Sequence, residues 1–327
     1  MTIEPAARVD PRFANLARAS SLRPRDWFAS KVFNGALALA CLLFVAVMGG
    51  LVLQLLWGAR LSIQKFGVGF LWSSAWNPVT SQFGALPFIY GTVVSSLIAL
   101  VLASSVGILG GIYLAEFAPR RLALSLSMLI ELLAAVPSIV YGLWGLFVLA
   151  PVVSTWIGPA LQSAFGFLPI FQGTIYGVNM LTAALILALM VVPTITAITR
   201  DLIAMIQARY REASLALGAT KWETVTKIIL PFAYRGIFGA CILGLGRALG
   251  ETIATTMVIG NRPAISASLF APGYTVASVI ANEFTEATTD IYLSSLIELG
   301  LLLFFVSVIV IGVGRFMVRF LLRSNEA

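Results

Sequence analysis

Glu212-Ala213-Ser214-Leu215-Ala216-Leu217-Gly218, followed nine residues later by Ile228-Ile229-Leu230-Pro231, forms a polar, structured insert between two long apolar runs. Arg209 through Leu217 reads as a short amphipathic helix, and Gly218 stands where a left-handed residue would stop it. Thr220-Lys221-Trp222-Glu223 has the spacing of a capping box, in which hydroxyl and carboxylate each satisfy the other residue's amide. The box opens a second helix, which Pro231 is expected to limit, because the residue before a proline is pushed out of the α region. Helix, glycine turn and helix make a compact knob. On physical grounds alone it suits an interfacial connector as well as a docking element.

Around the knob the chain is overwhelmingly apolar. Hydrophobic residues make up 59% of the sequence and charged residues 11%, which excludes an ordinary soluble domain. Six stretches reach the about 20 residues that a helix needs to cross a bilayer: Val32–Trp57, Phe88–Leu114, Leu122–Ala150, Leu181–Thr199, Gly236–Ile259 and Ile291–Phe316. The first follows a basic tail and is too long for a cleavable signal. The expected fold is therefore all-α: a polytopic membrane protein with six transmembrane helices. Cys41 and Cys241 both fall inside spans, which argues against a disulfide framework. With no histidine and no cysteine cluster, a transition-metal site lacks its usual ligands, and no metal is expected. No paired nucleophile and base marks a catalytic residue either.

A net charge of +7 raises the question of nucleic acid, and the placement of the charges answers it. Seventeen of the 21 basic residues lie before the first span, after the second, between the fourth and fifth, or at the C-terminus. The opposite loops hold Arg60, Lys65 and Arg262. Basic residues collect on the cytoplasmic side, so this is an insertion signal that also suits anionic membrane lipid, and no nucleic acid is expected. Both termini are then cytoplasmic. The chain reads as a basic tail over 1–31, a membrane domain over 32–319 with its cytoplasmic segment at 200–235, and a short tail over 320–327.

The first outer loop carries Phe66, Phe70, Trp72, Trp76 and Phe83, suited to a membrane-interface belt or to an external partner. The second, from Pro151 to Met180, has no charge and is expected to hug the interface, with room for a short partial helix. A seventh span there would turn the basic 200–235 segment outward, against the charge rule. Val136-Pro137-Ser138-Ile139 and Val192-Pro193-Thr194-Ile195 each predict a kink inside a span, Pro137 nearer the middle.

Apart from Arg315 at the very end of the sixth, four ionisable residues fall within the predicted spans: Glu131, Arg247, Glu251 and Glu298. Burying a charge at the bilayer centre costs at least about 2.5–3.5 kcal/mol, so each is a functional candidate. Arg247 and Glu251 stand at i and i+4, where side chains of one helix pair. Gly246 and Gly250 flank them with a Gly-x-x-x-Gly spacing that permits close approach of a second helix. An arginine fork matches tetrahedral oxyanions. Glu131 and Glu298 suit helix packing or a partner contact.

The insert Glu-Ala-small, three residues, Gly, nine residues, Ile-x-Leu-Pro resembles the cytoplasmic coupling loop of ABC-importer permeases. Ser214 departs from the second alanine often found there, but remains small. Gly-Arg-Ala-Leu-Gly-Glu-Thr, 246–252, looks like the fifth-span signature of phosphate-specific (Pst) ABC permeases. Val-Pro-Ser-Ile-Val-Tyr-Gly-Leu-Trp-Gly, 136–145, and Ile-Glu-Leu-Gly-Leu, 297–301, are similar to the C-type subunit of that family. The resemblance covers about 32–323 and implies the type I ABC importer permease fold. It further implies ATP-driven import of inorganic phosphate through the plasma (inner) membrane of a bacterium.

Carried over to these positions, the resemblance makes Arg247, Glu251 and Thr252 a substrate pathway. Glu212, Ala213, Ser214, Gly218, Ile228, Leu230 and Pro231 become the ATPase-coupling element, with Glu131, Glu298 and Pro137 as secondary candidates within the membrane. The implied partners are a second, A-type permease, a cytoplasmic ATPase dimer and an external phosphate-binding protein. The chain is expected to bind no cofactor and to be no enzyme. Its four lysines follow Ser, Gln, Thr and Thr, so the Gly-Lys pair of a phosphate-cradling loop is missing, and ATP and Mg belong to the ATPase. Competing expectations are a permease for phosphonate, sulfate or molybdate, and an ion-coupled secondary transporter, which lacks support from an inverted repeat.

Overall fold

The computed structural model describes the backbone of residues 24–323 and the side chains of residues 31–316. The expected tail over 1–31 lies outside the described residues up to residue 23, and that over 320–327 from residue 324. Regular structure among the described residues is helical, apart from an isolated bridge between Asn77 and Gln82. The longer helices are α1 (Pro24–Phe66), α2 (Leu86–Phe117), α3 (Arg120–Ala135), α4 (Ser138–Phe165) and α5 (Met180–Ala204). Then come α6 (Ala208–Ala216), α7 (Lys221–Gly250), α8 (Ile253–Val258), α9 (Val276–Glu283) and α10 (Asp290–Arg323). Six of them, α1, α2, α4, α5, α7 and α10, are long and apolar enough to cross a membrane.

The chain divides into two units, Met1–Gln54 and Leu55–Ala327. In the first, α1 exposes Leu42, Phe44, Val45 and Leu53, side chains suited to lipid. The second is built on α5, whose Ala183, Ile186, Leu187, Val191 and Ile195 are buried. Helices approach it closely where glycine removes the side chain. A Cβ on Gly111 of α2 would stand 2.6 Å from Thr199 Cβ, and one on Gly244 of α7 would stand 2.7 Å from Val191 Cγ1. Small residues at the contact let backbones approach, which is how membrane helices gain packing without a hydrophobic drive. At the expected pair Gly246 and Gly250, a Cβ on Gly246 would stand 3.4 Å from Ile311 Cδ1, and one on Gly250 would meet nothing of this chain within 4 Å. That leaves the Gly250 side open to a second subunit. The C-terminal turns of α1 meet α10 through small polar groups, Ser294 Oγ donating to Gly58 O at 2.7 Å and accepting from Ser62 N at 3.1 Å.

Prolines shape the helices in ways the sequence reading did not anticipate. Four of them follow π-turns: Pro119 after Tyr113–Phe117, where the helix ends, and, where it continues, Pro151 after Gly145–Leu149, Pro159 after Val153–Ile157 and Pro231 after Val225–Ile229. A proline within a regular helix lacks one donor and collides with the carbonyl four residues back. The extra residue of a π-turn displaces that carbonyl, and the helix continues. Hence α4 runs on to Phe165, through half of what was expected as an outer loop, and Pro231 does not end the knob's second helix. Pro137 does the reverse. Val136 and Pro137 are both extended, with ψ of 130° and 140°, so the expected third span Leu122–Ala150 is broken rather than kinked. Its first half is the separate helix α3, which buries no residue. Pro193 stays inside an unbroken α5.

The aromatic side chains of the first outer loop form a core instead of an interface belt. Phe70 and Phe83 are buried with Phe88, Tyr274 and Tyr292, while Trp72 alone of the five stands 73% exposed. Glu283 ties the cluster together, accepting from Trp76 Nε1 at 2.8 Å and Tyr292 Oη at 2.6 Å. Burial raises the Tyr274 hydroxyl well above its ordinary range, so it stays protonated beside Asn282 Nδ2 at 3.0 Å.

Candidate functional site

The knob has the helix, glycine turn and helix that its sequence predicts, although its first helix buries no residue and is not amphipathic and its second runs on past Pro231. Its details explain its rigidity. Gly218 takes φ +85°, a conformation that costs an L side chain but not glycine. Thr220 Oγ1 accepts from Glu223 N at 3.2 Å while Glu223 Oε2 accepts from Thr220 N at 3.0 Å, closing the capping box. Ser214 Oγ lies 2.9 Å from Thr224 Oγ1 and ties α6 to α7. Small Ser214 is what fits between the two helices. Glu212, Ala213, Ala216 and Leu217 face outward, with Leu217 90% exposed. Of the Ile-x-Leu-Pro group, Ile228 and Leu230 are half-buried and Pro231 is exposed. The anchor is the unremarked Ile229, which is buried with Ile112, Ile203 and Val225.

Through that anchor α7 runs without a break from Lys221 to Gly250, 30 residues or about 45 Å at 1.5 Å per residue. Arg247 lies in its last turn. The expected i, i+4 pair does not form. The helix ends at Gly250, Glu251 is extended with ψ 124°, and α8 starts at Ile253, so Ile259 belongs to no fifth span. Glu251 Oε1 instead accepts from Ala254 N at 3.3 Å, serving the amides at the start of α8. Arg247 is exposed and makes no ion pair within the described residues. Thr252 Oγ1 donates to the Gly250 carbonyl at 3.3 Å, inside the break.

The break after α7 meets the break between α3 and α4. A Cβ on Gly142 of α4 would stand 3.1 Å from Ala254 Cα, so α4 and α8 touch at backbone distance. Tyr141 Oη donates to Leu133 O at 2.8 Å, spanning the Pro137 gap. Two interrupted helices thus bring a phenol, a carboxylate and a hydroxyl to the breaks, with the Arg247 guanidinium in the last turn before one of them. Interrupted helices at membrane depth are tolerated where they line a cavity or are buried in protein.

The other candidates stand elsewhere. Glu131 is on α3, outside the six spans, and pairs with Arg200 Nη2 at 3.1 Å. Arg200 belongs to α5, so Arg247 is not the lone cation of the spans as the sequence suggested. Both line a cavity of about 500 Å³ with Arg120, Ser127 and Asp201. Glu298 is buried in α10 with Oε2 lacking a hydrogen-bond partner, one turn past Ser294 and Ser295 at the α1 seam.

Sequence reading missed a further pair, Arg211 and Glu116. They stand 2.6 Å apart, with side chains 23% and 8% exposed, whereas in the Arg200–Glu131 pair Glu131 is 61% exposed. Exposed ion pairs contribute about 0–1 kcal/mol, while breaking a buried one costs about 3–5 kcal/mol. Arg211 is therefore the structural member, and its only sequence signal was a basic residue in the knob facing an acid 95 positions earlier.

The family model described as binding-protein-dependent transport system inner membrane component matches residues 107–324. The phosphate transport system permease protein PstC of Mesorhizobium japonicum is 45% identical over 290 residues, 88% of this chain and 89% of its own. PstC of Xylella fastidiosa is 43% identical over 92% of each chain, and PstC of Haemophilus influenzae 42% identical over 90% of this chain and 94% of its own. Among solved structures, an inward-facing MetNI methionine ABC transporter superposes with a TM-score of 0.54 at 17% identity, covering 71% of this chain and 93% of that one. A bacterial alginate ABC transporter bound to its periplasmic protein gives 0.56 at 13% identity, covering 91% and 96%. At such identities the two structures speak for the fold alone.

Proposed function

The chain belongs to the family of binding-protein-dependent transport system inner membrane components, and from that premise we propose that it is the membrane-spanning permease subunit of an ATP-driven importer carrying inorganic phosphate into the cytoplasm. It is a multi-pass inner-membrane protein. The phosphate specificity is supported by relatives of 42–45% identity across about nine-tenths of the chain, each described as a phosphate transport permease. The mechanism is carried by one observation: the knob and the unpaired Arg247 are the two ends of a single helix, α7.

The knob's outward face, Glu212, Ala213, Ala216 and Leu217, docks in a cytoplasmic ATPase dimer, with Gly218 and Ser214 keeping it stiff. ATP and Mg supply the driving energy in that partner. Tilting of α7 then moves Arg247 and the adjoining break. Arg247 binds the anion's oxygens with a planar fork. Glu251, with one oxygen held at the Ala254 amide, accepts through the other the hydrogen bond of the P–OH group that phosphate retains near neutral pH. Sulfate lacks that proton and meets carboxylate repulsion. One exposed guanidinium is little charge for a phosphate, so an A-type second permease contributes further cations across the pathway. An external phosphate-binding protein delivers the substrate on the opposite side, and both termini are cytoplasmic.

Uptake of radiolabelled phosphate by the assembled complex tests the role of Arg247. Losing a bidentate contact to a charged ligand costs roughly 2–4 kcal/mol, so Arg247→Ala is expected to lower uptake about 30- to 1,000-fold. Near-normal uptake in that variant would remove Arg247 from the pathway.

A further inference from the structure

The Arg211 guanidinium joins three elements at one point. Its Nε and Nη2 both donate to Glu116 Oε1, at 2.8 and 2.6 Å, on the π-turn Tyr113–Phe117 that ends α2. Its Nη1 donates to Ile206 O at 2.5 Å and its Nη2 to Ile203 O at 2.8 Å, two carbonyls at the C-terminal end of α5, the second of which also accepts from Ile206 N at 3.2 Å. Below the group lies the apolar cluster of Ile112, Ile203, Val225 and Ile229. The helix that carries Arg211, α6, buries no residue of its own. Its contacts with α7 include the Ser214–Thr224 hydroxyl pair and the Tyr210–Phe232 rings, 5.1 Å between centroids. Its polar contacts with α2 and α5, among the described residues, all pass through Arg211.

The helices α2 and α5 are themselves locked together at Gly107 and Gly111, where a Cβ would stand within 2.9 Å of Ile195 and 2.6 Å of Thr199. Such a pair moves as one body, because an interlocked interface cannot slide without opening a gap. We propose that Arg211 is a positioning residue for transport: it fastens the knob to the α2–α5 body. Motion of the knob then displaces that body against the broken helices, and does not dissipate in α7 alone. The inference rests on the transporter reading above. A lysine cannot substitute, since an ammonium is a point donor and does not hold a carboxylate and two carbonyls in one plane.

The test uses the assembled importer in proteoliposomes, with phosphate uptake and ATP hydrolysis measured on the same sample. Arg211→Lys and Glu116→Gln are expected to keep the ATPase bound and its hydrolysis within about two-fold, while phosphate moved per ATP falls on the order of ten-fold. A residue that merely stabilises the fold lowers both activities together and leaves their ratio unchanged. An unchanged ratio in both variants overturns the proposal. Should Arg211→Lys not assemble, Glu116→Gln decides, because it keeps the side chain's shape and leaves both arginine–carbonyl bonds in place. Absence of ATP-driven phosphate uptake by the unsubstituted complex sinks the transporter reading itself, and the proposal with it.

Discussion

Gly111 and Gly218 are both glycines for a physical reason, and the reasons differ. At Gly218 the backbone, φ +85°, is the constraint, since a Cβ there would meet nothing within 4 Å. At Gly111 the constraint is space, with Thr199 Cβ 2.6 Å from the added atom and the Thr196 carbonyl at 3.0 Å. An alanine at 218 costs about 1–2 kcal/mol of local backbone strain, which the exposed knob absorbs. An alanine at 111 forces α2 away from α5 and costs about 1–3 kcal/mol in the core. Gly111→Ala is therefore expected to lower the thermal midpoint of the purified permease more than Gly218→Ala does. Equal midpoints would show that the α2–α5 contact is looser than its geometry.

At the scale of elements, the π-turn of α7 is the least expected feature. It is the accommodation of Pro231, and it sets the rotation of the knob relative to Arg247. One extra residue in a helical ladder turns everything above it by about 100°. In Pro231→Ala the N–H returns and the clash disappears, so residues 225–229 are free to adopt the better-bonded α-helix. Amide hydrogen exchange over 225–229 should slow in that variant, while the helix beyond 236 keeps its protection. Unchanged exchange over 225–229 would mean that Ile229 packing, and not the proline, holds the π-turn.

For the whole molecule, the decisive expectation is sidedness. Ala216 on the knob and Val79 at a loop tip, the latter 93% exposed, report on opposite faces if the basic segments are cytoplasmic. In a background with Cys41 and Cys241 replaced by serine, Val79→Cys should react with a membrane-impermeant maleimide in intact cells. Ala216→Cys should react only after the membrane is opened. Labelling of Ala216→Cys in intact cells would overturn the orientation.

Helix content, the number of spans, the knob and its capping box were legible in the sequence because each is a local matter. Hydrophobic runs, Gly218 and the Thr220–Glu223 spacing act on neighbours within a few residues. What prolines do was not legible: Pro137 breaks a helix while Pro151, Pro159 and Pro231 are threaded by π-turns, and packing against neighbouring helices chooses between the two. The site followed the same division. Arg247 was found from its charge in an apolar span, but its supposed pairing with Glu251 assumed a helix that ends at Gly250. Glu116 and Arg211, 95 residues apart, were paired by nothing local. The sequence by itself determined a six-span membrane protein with a compact helix-turn-helix knob, since apolar length and short-range caps suffice for that. Only the tertiary structure decided that Arg247 stands apart from Glu251 beside two meeting helix breaks, and that Arg211 fastens the knob to α2 and α5, because those relations are made by contacts across the fold.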